Sequence, residues 1–346
     1  MNAENRTPGD ALPAMGHIRA GRKSPAELAE ELPDRLARSL ILGCGHYSTP
    51  IMALGDRLTA PWLRRNPSPY RDEIFAIRDI APSVGSIMLN MSFEWACTTC
   101  ALSNGRGGNK MLRVLDWMLE GLGREAVVVT HETDLGPYHN VTWIGYVGSF
   151  TGMAPGRFSA AINQPPMRRT TNIRSIDWLI ERKRIMSADA IPPHHLLRLA
   201  FETCPDFEGA RKLIAETPIC IPAFFTLSGA TPEEAVCIER LETKAFIHDN
   251  PATFANHWIS APEGGYDRGT DSQGRYVLMN KARLESGDAP FSWIRPPILN
   301  ETTRLAVVAD ASAGEMIVRA YDADGKGSAE PASRDFVLSE RLAEAA

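Results

Sequence analysis

Residues 97–117 read CTTCALSNGRGGNKMLRVLDW, two short strand-like runs joined by a glycine-rich turn. A hairpin of this length returns its far strand beside the first residue of its near strand. It therefore predicts that Cys97, Arg113 and Asp116 meet at one point. The guanidinium favours a thiolate, and the carboxylate can orient a cation or accept a proton. Positions 113 and 116 face opposite ways in a flat strand, so the reading requires a bend, or Asp116 at the strand's end. No other segment supplies a nucleophile with charged partners so economically.

Blander readings of the same residues stay open from spacing alone. Cys97 fits a buried structural thiol, and Arg113 with Asp116 fits an ion pair across a sheet. Cys97-Thr98-Thr99-Cys100 has the spacing of a redox or zinc pair, but the sequence offers no second ligand pair. His194-His195 is an adjacent pair in a helical run, not a chelate. Neither a metal nor a cofactor is expected. The Gly105-x-Gly107-Gly108 turn opens no helix, so it lacks the N-terminus that a phosphate loop uses.

At 346 residues the chain can bury a large core. A net charge of −5 with no basic cluster argues against a nucleic-acid partner. No apolar run approaches the roughly 20 residues of a membrane span. The first residues, MNAENRTPGDALPAMGHIRAGRK, lack the apolar stretch of a secretory signal. The six cysteines (44, 97, 100, 204, 220, 237) do not form a disulfide pattern, which makes a reducing cytoplasm the simplest compartment.

Residues 1–23 are expected to be a disordered tail, followed by a mostly helical segment over 24–96. Ser24-Pro25-Ala26-Glu27 starts a helix running towards Leu42 with a break or kink at Pro33. Ser68-Pro69 opens a second helix, and Ser83 a third that continues to about Trp95. Beyond Cys97 strands are expected at 97–103, 111–119, 126–131, 140–147 and 158–163. Helices follow at 174–187, 193–203 and 206–216. Further strands fall at 222–228, 234–240 and 244–248, then a polar helix at 272–285 and a hairpin at 304–310 and 315–321. Strands, then helices, then strands suit an α+β fold with two face-to-face sheets and helices outside.

Further blocks occur in order around the hairpin: Asn90-Met91-Ser92-Phe93-Glu94, WIGYVGSFTGMAPGRFSAAIN (143–163), PAFFTLSGATPEEAVCIER (222–240) and Ala255-Asn256-His257-Trp258. Together with Cys97-Thr98 and Arg113-x-x-Asp116, this set resembles the N-terminal-nucleophile (Ntn) cysteine hydrolases of the acid ceramidase and N-acylethanolamine acid amidase family. It is more distantly similar to choloylglycine hydrolases and penicillin acyltransferases. The resemblance spans roughly residues 68 to 325. It implies the four-layer αββα Ntn sandwich, with 97–346 as the catalytic core. Val114 and Ala255 depart from the family pattern, which has Asn after the arginine and Thr before the asparagine.

The resemblance also implies a mechanism. Cys97 attacks the Ala96 carbonyl, the thioester is hydrolysed, and the freed α-amine becomes the base, with a pKa of about 7.7–8.0. The two chains are expected to stay associated, because separation would expose apolar helices. Mature Cys97 would then cleave a small N-acyl amide. Asp116 would hold the α-amine, while Arg113 favours the thiolate and lines the polar side of the pocket. Asn256 would donate to the oxyanion, and Arg275 would be the downstream arginine, with Arg268 as its rival. Trp143, Tyr146, Asn163 and Trp258 are the candidates for substrate contact. An acyltransferase of the same superfamily and an uncleaved binding protein remain the alternatives.

Overall fold

A computed structural model describes residues 11–80, 84–249, 252–261, 263–282 and 289–340. The chain enters as strand β1 (Gly16–Gly21), which pairs in parallel with β4 (Val127–Thr133). The expected tail over 1–23 is corrected here, since part of it completes a sheet; residues 1–10 lie outside the described residues. The pattern was hidden because this edge strand is mostly half-buried and carries His and Arg.

Helix α1 (Pro25–Glu31) starts at Ser24, whose hydroxyl accepts from the Glu27 N–H while the Glu27 carboxylate accepts from the Ser24 N–H. This is the capping box that the sequence announces. Leu32 breaks the helix, and α2 (Pro33–Tyr47) follows from Pro33. Next come α3 (Thr49–Arg65), α4 (Arg71–Ile80) and α5 (Ser86–Asn90). The sequence reading had no α3. Its N-cap is Ser48, which makes no side-chain cap bond, and Pro61 interrupts the run while Ile51, Leu54 and Leu58 point outward. The third expected helix stops at Asn90, not Trp95, and its start at Ser83 lies outside the described residues. Met91–Trp95 runs on outside any helix, with Phe93 at φ 54°.

The opening stretch forms the hairpin of β2 (Ala96–Ser103) and β3 (Asn109–Asp116). After α6 (Leu122–Glu125) and β4 come β5 (Gly136–Thr142), β6 (Thr151–Ala154) and β7 (Phe158–Asn163). Helices α7 (Arg174–Ser187), α8 (Pro193–Thr203) and α9 (Phe207–Glu216) separate these from β8 (Ala223–Gly229), β9 (Ala235–Arg240) and β10 (Ala245–Asp249). The chain continues through β11 (Ala252–Phe254), α10 (Ser272–Ala282), β12 (Thr303–Asp310) and β13 (Glu315–Ala323) to β14 (Ala329–Pro331) and β15 (Phe336–Ser339). The run expected as strand 140–147 ends at Thr142. Residues 143–146 turn instead, with Gly145 at φ 92°.

Among the described residues the strands form two sheets. One has the order β1-β4-β5-β6-β7-β8-β9-β10. The other has β11-β2-β3-β12-β13-β14, with β15 also on β13. Strands β2 and β3 pack face to face on β7 and β8. Helices α8 and α9 cover the outer face of the first sheet, and α10 covers that of the second. The result is the expected α+β arrangement of four layers, αββα. The central layer holds Phe150 against Trp95 (ring centroids 4.4 Å apart) together with Trp117, Trp143 and Tyr146.

Because the capping box anchors the first helix, Ser24→Ala should lower unfolding stability by about 0.5–2 kcal/mol. Urea denaturation checks this; an unchanged midpoint would contradict it.

Candidate active site

Hairpin register decides which side chains meet. Ala96 pairs with Asp116, Cys97 with Leu115, Thr98 with Val114 and Thr99 with Arg113. Directly paired residues share a face, and faces alternate along each strand. Cys97, Thr99 and Arg113 therefore look towards β7, while Ala96, Thr98 and Asp116 look towards α10. No bend is needed: Asp116 is the last residue of β3 and reaches the cysteine from the opposite side of the sheet.

Arg113 is fully buried and spends its donors on fixed acceptors. Its Nε donates to Thr151 Oγ1 at 3.2 Å and its Nη2 to the Ile162 carbonyl at 2.8 Å. Its Nη1 donates to Thr99 Oγ1 at 3.0 Å and to Asn163 Oδ1. The Cys97 thiol donates to the same Ile162 carbonyl at 3.7 Å. Burial pushes the thiol up to about 11, outweighing the opposite pull of Arg113 and Arg275. In the uncut chain, therefore, Arg113 pulls in the direction that favours a thiolate, but desolvation outweighs it. Nor does Arg113 line a pocket wall.

On the other face Arg275, from α10, reaches back to the hairpin. Its Nη1 donates to the Cys97 carbonyl at 2.6 Å and to Thr98 Oγ1 at 2.9 Å, and its Nη2 to Asn256 Oδ1 at 2.9 Å. The same Asn256 oxygen accepts the Cys97 N–H at 2.9 Å. Asn256 Nδ2 donates to the Gln164 carbonyl at 2.7 Å, so the side chain now meets the nitrogen of Cys97 with its oxygen. An amide nitrogen carries two hydrogens, which leaves one for a further acceptor. Asp116 Oδ1 accepts from Thr303 Oγ1 at 2.9 Å; Oδ2 lies 3.7 Å from Arg275 Nη1 and has no hydrogen bond. Burial raises the Asp116 pKa, against Arg275, Thr303 and the nearby Asn300 side chain pulling it down.

Ala96 and Asp116 open onto a cleft of about 480 Å³, while Cys97 itself is fully buried. The walls are Phe93 and Glu94 from the segment before the cysteine, Trp117 and Met118 after β3, Trp178 and Arg182 of α7, and Tyr266–Thr270. Gly269 closes tightly over Ala96: a Cβ there would come within 2.5 Å of the Ala96 Cβ. Arg275 and Arg268 thus separate by place, the first bonded to Cys97, the second lining the cleft.

Three of the four expected substrate contacts lie elsewhere. Trp143 and Tyr146 are buried in the aromatic core around a cavity of about 40 Å³ bounded by α2 and α5. Trp143 donates to the Leu122 carbonyl, and Tyr146 stacks on Phe150. Trp258 packs edge-on against Phe224 at 4.8 Å. Asn163 does sit in the cysteine's surroundings, bonded to Thr99, Arg113 and the Ala255 carbonyl, but not in the cleft wall. The wall residues missed were Trp117, which directly follows Asp116, and Trp178 and Arg182, one helical turn apart on α7.

Cys97 and Cys100 point to opposite faces and belong to different hydrophobic clusters, which removes the redox pair. Among the described residues no group of three or more His, Cys, Asp or Glu could hold a metal ion. The Gly105–Gly108 turn closes on itself, with Asn104 Oδ1 accepting from the Arg106 and Gly108 N–H groups.

No family model matches the chain. It is similar to acid ceramidase from Heterocephalus glaber, 24% identical over 212 residues, covering 56% of this chain and 52% of that protein. It is also similar to N-acylethanolamine-hydrolyzing acid amidase from Oryctolagus cuniculus, 25% identical over 238 residues, covering 62% of each. The chain thus spans between half and two thirds of these relatives' own length. Among solved structures, the Caenorhabditis elegans N-acylethanolamine-hydrolyzing acid amidase ortholog aligns with a TM-score of 0.48 at 18% identity, over 62% of this chain and 93% of that one. Conjugated bile acid hydrolase from Clostridium perfringens aligns at 0.41 and 11%, over 72% and 97%.

Burial makes the Asp116 charge unfavourable to the fold, and the sign can be tested. A carboxyl whose folded pKa is raised loses stability as pH rises above its unfolded value. Compared in a Cys97→Ala background, Asp116→Asn should gain more unfolding stability at pH 7 than at pH 4. A larger gain at pH 4 would contradict this placement of the charge.

Proposed function

We propose that this chain, a relative of the acid ceramidases and N-acylethanolamine acid amidases among the Ntn hydrolases, cuts itself at Ala96–Cys97 and then hydrolyses small linear N-acyl amides. One observation carries the reading: the Cys97 backbone is held at both its N–H, by Asn256, and its carbonyl, by Arg275, beside an Asp116 oxygen that has no hydrogen bond.

In self-cleavage the Cys97 sulfur forms a bond to the Ala96 carbonyl carbon as the C–N bond breaks, and the thiol proton passes to the departing nitrogen. Water then splits the thioester, leaving a carboxylate on Ala96 and a free thiol and α-amine on Cys97. The new ammonium has more donors than the former amide. Asn256 Oδ1 already accepts one hydrogen from that nitrogen, and Asp116 Oδ2, without a hydrogen bond, would take another. Thiol and base then belong to one residue.

In the mature enzyme the thiolate attacks the substrate carbonyl and the protonated leaving amine departs. Water, activated by the α-amine, resolves the acyl-thioester. The second Asn256 hydrogen serves the oxyanion. Removing one such donor lowers the rate about 10²–10³-fold, so Asn256→Ala should do so at little change in Km.

The two products would remain one particle. Residues 16–96 contribute β1 to a sheet of the core and several buried bonds across the boundary. Arg198 pairs with Glu73 at 2.7 Å, Ser68 Oγ meets His195 Nδ1 at 2.7 Å, and the Asn66 side chain donates to the Ala190 carbonyl at 2.9 Å. Among the described residues no helix is long and apolar enough to cross a membrane. All six cysteines are free thiols, which supports the reading of a reducing, cytoplasmic compartment.

Mass spectrometry of wild type beside Cys97→Ala tests the reading. Wild type should give fragments 1–96 and 97–346 that co-elute on gel filtration, and Cys97→Ala should stay one chain. An uncut wild type, or a variant cut at the same bond, would overturn it.

A further inference from the structure

The chain passes from α5 into β2 through a conformation that costs free energy. Phe93 lies at φ 54°, in the left-handed region that a bulky L-residue rarely occupies. Among the described residues the other non-glycine positions with positive φ are Ser48, Asn172 and Asp271, and the last two are types that tolerate it. The Phe93 ring is buried against Trp95 and His194, with centroids at 6.0 and 5.5 Å. A strained residue persists only where its surroundings over-determine it, and here the backbone is held as well as the ring.

Residues that follow Cys97 in sequence do the holding, at three successive carbonyls. Arg182, on α7, donates through Nη1 to the Met91 carbonyl at 2.5 Å and through Nη2 to the Ser92 carbonyl. Arg268 donates through Nη1 to the Phe93 carbonyl at 3.0 Å. The Arg182 guanidinium also lies over the Phe93 ring, 5.8 Å from its centroid, and over the Trp178 ring at 5.0 Å. Glu94 completes the arrangement: it lies 3.6 Å from Arg182 and accepts from Tyr47 at 2.9 Å and Trp178 at 2.8 Å. Arg182 thus engages each residue from 91 to 94. A planar fork of donors permits such a multi-point hold, and charge-assisted bonds make it firm.

We infer that Arg182 is a positioning residue for the cut at Ala96–Cys97, acting by clamping Phe93 in its left-handed form. The inference rests on the self-cleavage reading. Phe93 stands three positions before Ala96 (96 − 93), and Ala96 opens β2 opposite Asp116. A rotation at Phe93 is therefore carried to the Ala96 carbonyl that the thiol attacks. Displacing a reacting group by about 1 Å lowers a rate on the order of 10²-fold. Without Arg182 two of the three carbonyl holds are gone, and the intrinsic preference of phenylalanine for negative φ moves the turn.

The test follows full-length chain, made by cell-free translation, as it converts to fragments 1–96 and 97–346 on a denaturing gel. Arg182→Gln should slow the conversion about tenfold or more. Adding Phe93→Gly to Arg182→Gln should largely restore it, because glycine takes the left-handed form without a clamp. In the otherwise unchanged chain Phe93→Val should cut slower than Phe93→Gly. Valine keeps more apolar surface but resists positive φ, so packing alone gives the reverse order. Urea unfolding in a Cys97→Ala background shows whether each uncut variant folds; where Arg182→Gln does not, Arg182→Lys takes its place in the same comparison. An Arg182 variant that cuts at the wild-type rate, one that glycine at 93 fails to restore, or valine outpacing glycine would refute the clamp while leaving self-cleavage intact. A wild-type chain that stays whole would instead sink the self-cleavage reading, and the role of Arg182 with it.

Discussion

Two buried arginines held on opposite faces of one hairpin are the constraint on which the rest of this structure depends. Taking a guanidinium out of water is unfavourable by several kcal/mol unless its donors are met. Arg113 meets that condition with Thr151, Thr99, Asn163 and the Ile162 carbonyl, all on the neighbouring sheet or the hairpin itself. Arg275 meets it with Asn256, Thr98 and the Cys97 carbonyl. The Arg275 bonds tie the first residues of β2 to α10, and the Arg113 bonds tie β3 to β2 and to the facing sheet. The peptide unit at Cys97 is therefore fixed in three dimensions before any chemistry begins, which is what a reaction relying on proximity requires.

Under the proposed self-cleavage, that fixation would let the same residue be inert at one stage and reactive at the next. Within the uncut chain the thiol is neutral, buried and bonded to a backbone carbonyl, and its nitrogen is an amide with no basicity. On the proposed self-cleavage, breaking one bond would change the nitrogen into an amine and leave the two arginines, Asp116 and Asn256 in place. The bulge between Thr303 and Leu305 in β12 matters here, since it sets Thr303 opposite Asp116 and so engages one carboxylate oxygen while the other stays unbonded.

The hairpin, its three chemical residues and most of the layered order were legible because they depend on local spacing. The helix start at Ser24 and the break or kink at Pro33 were legible for the same reason. What the sequence hid depends on partners remote along the chain. Strand β1 carries too little apolar pattern to announce itself, and its place comes from parallel pairing with β4 more than a hundred residues on. Trp143 and Tyr146 look like pocket aromatics, yet a turn at Gly145 folds them inward onto Phe150. The competition between Arg268 and Arg275 was undecidable from seven residues of separation; helix α10 turns one towards the cysteine, while the loop before it leaves the other in the cleft.

The central claim is that Cys97, as the first residue of a new chain, carries the acyl group. Acid-quenched enzyme, digested after brief exposure to substrate, tests this most directly by mass. The account predicts an acyl adduct on a peptide that begins at Cys97. An adduct on any other residue, or active enzyme whose peptides still span Ala96–Cys97, would contradict it.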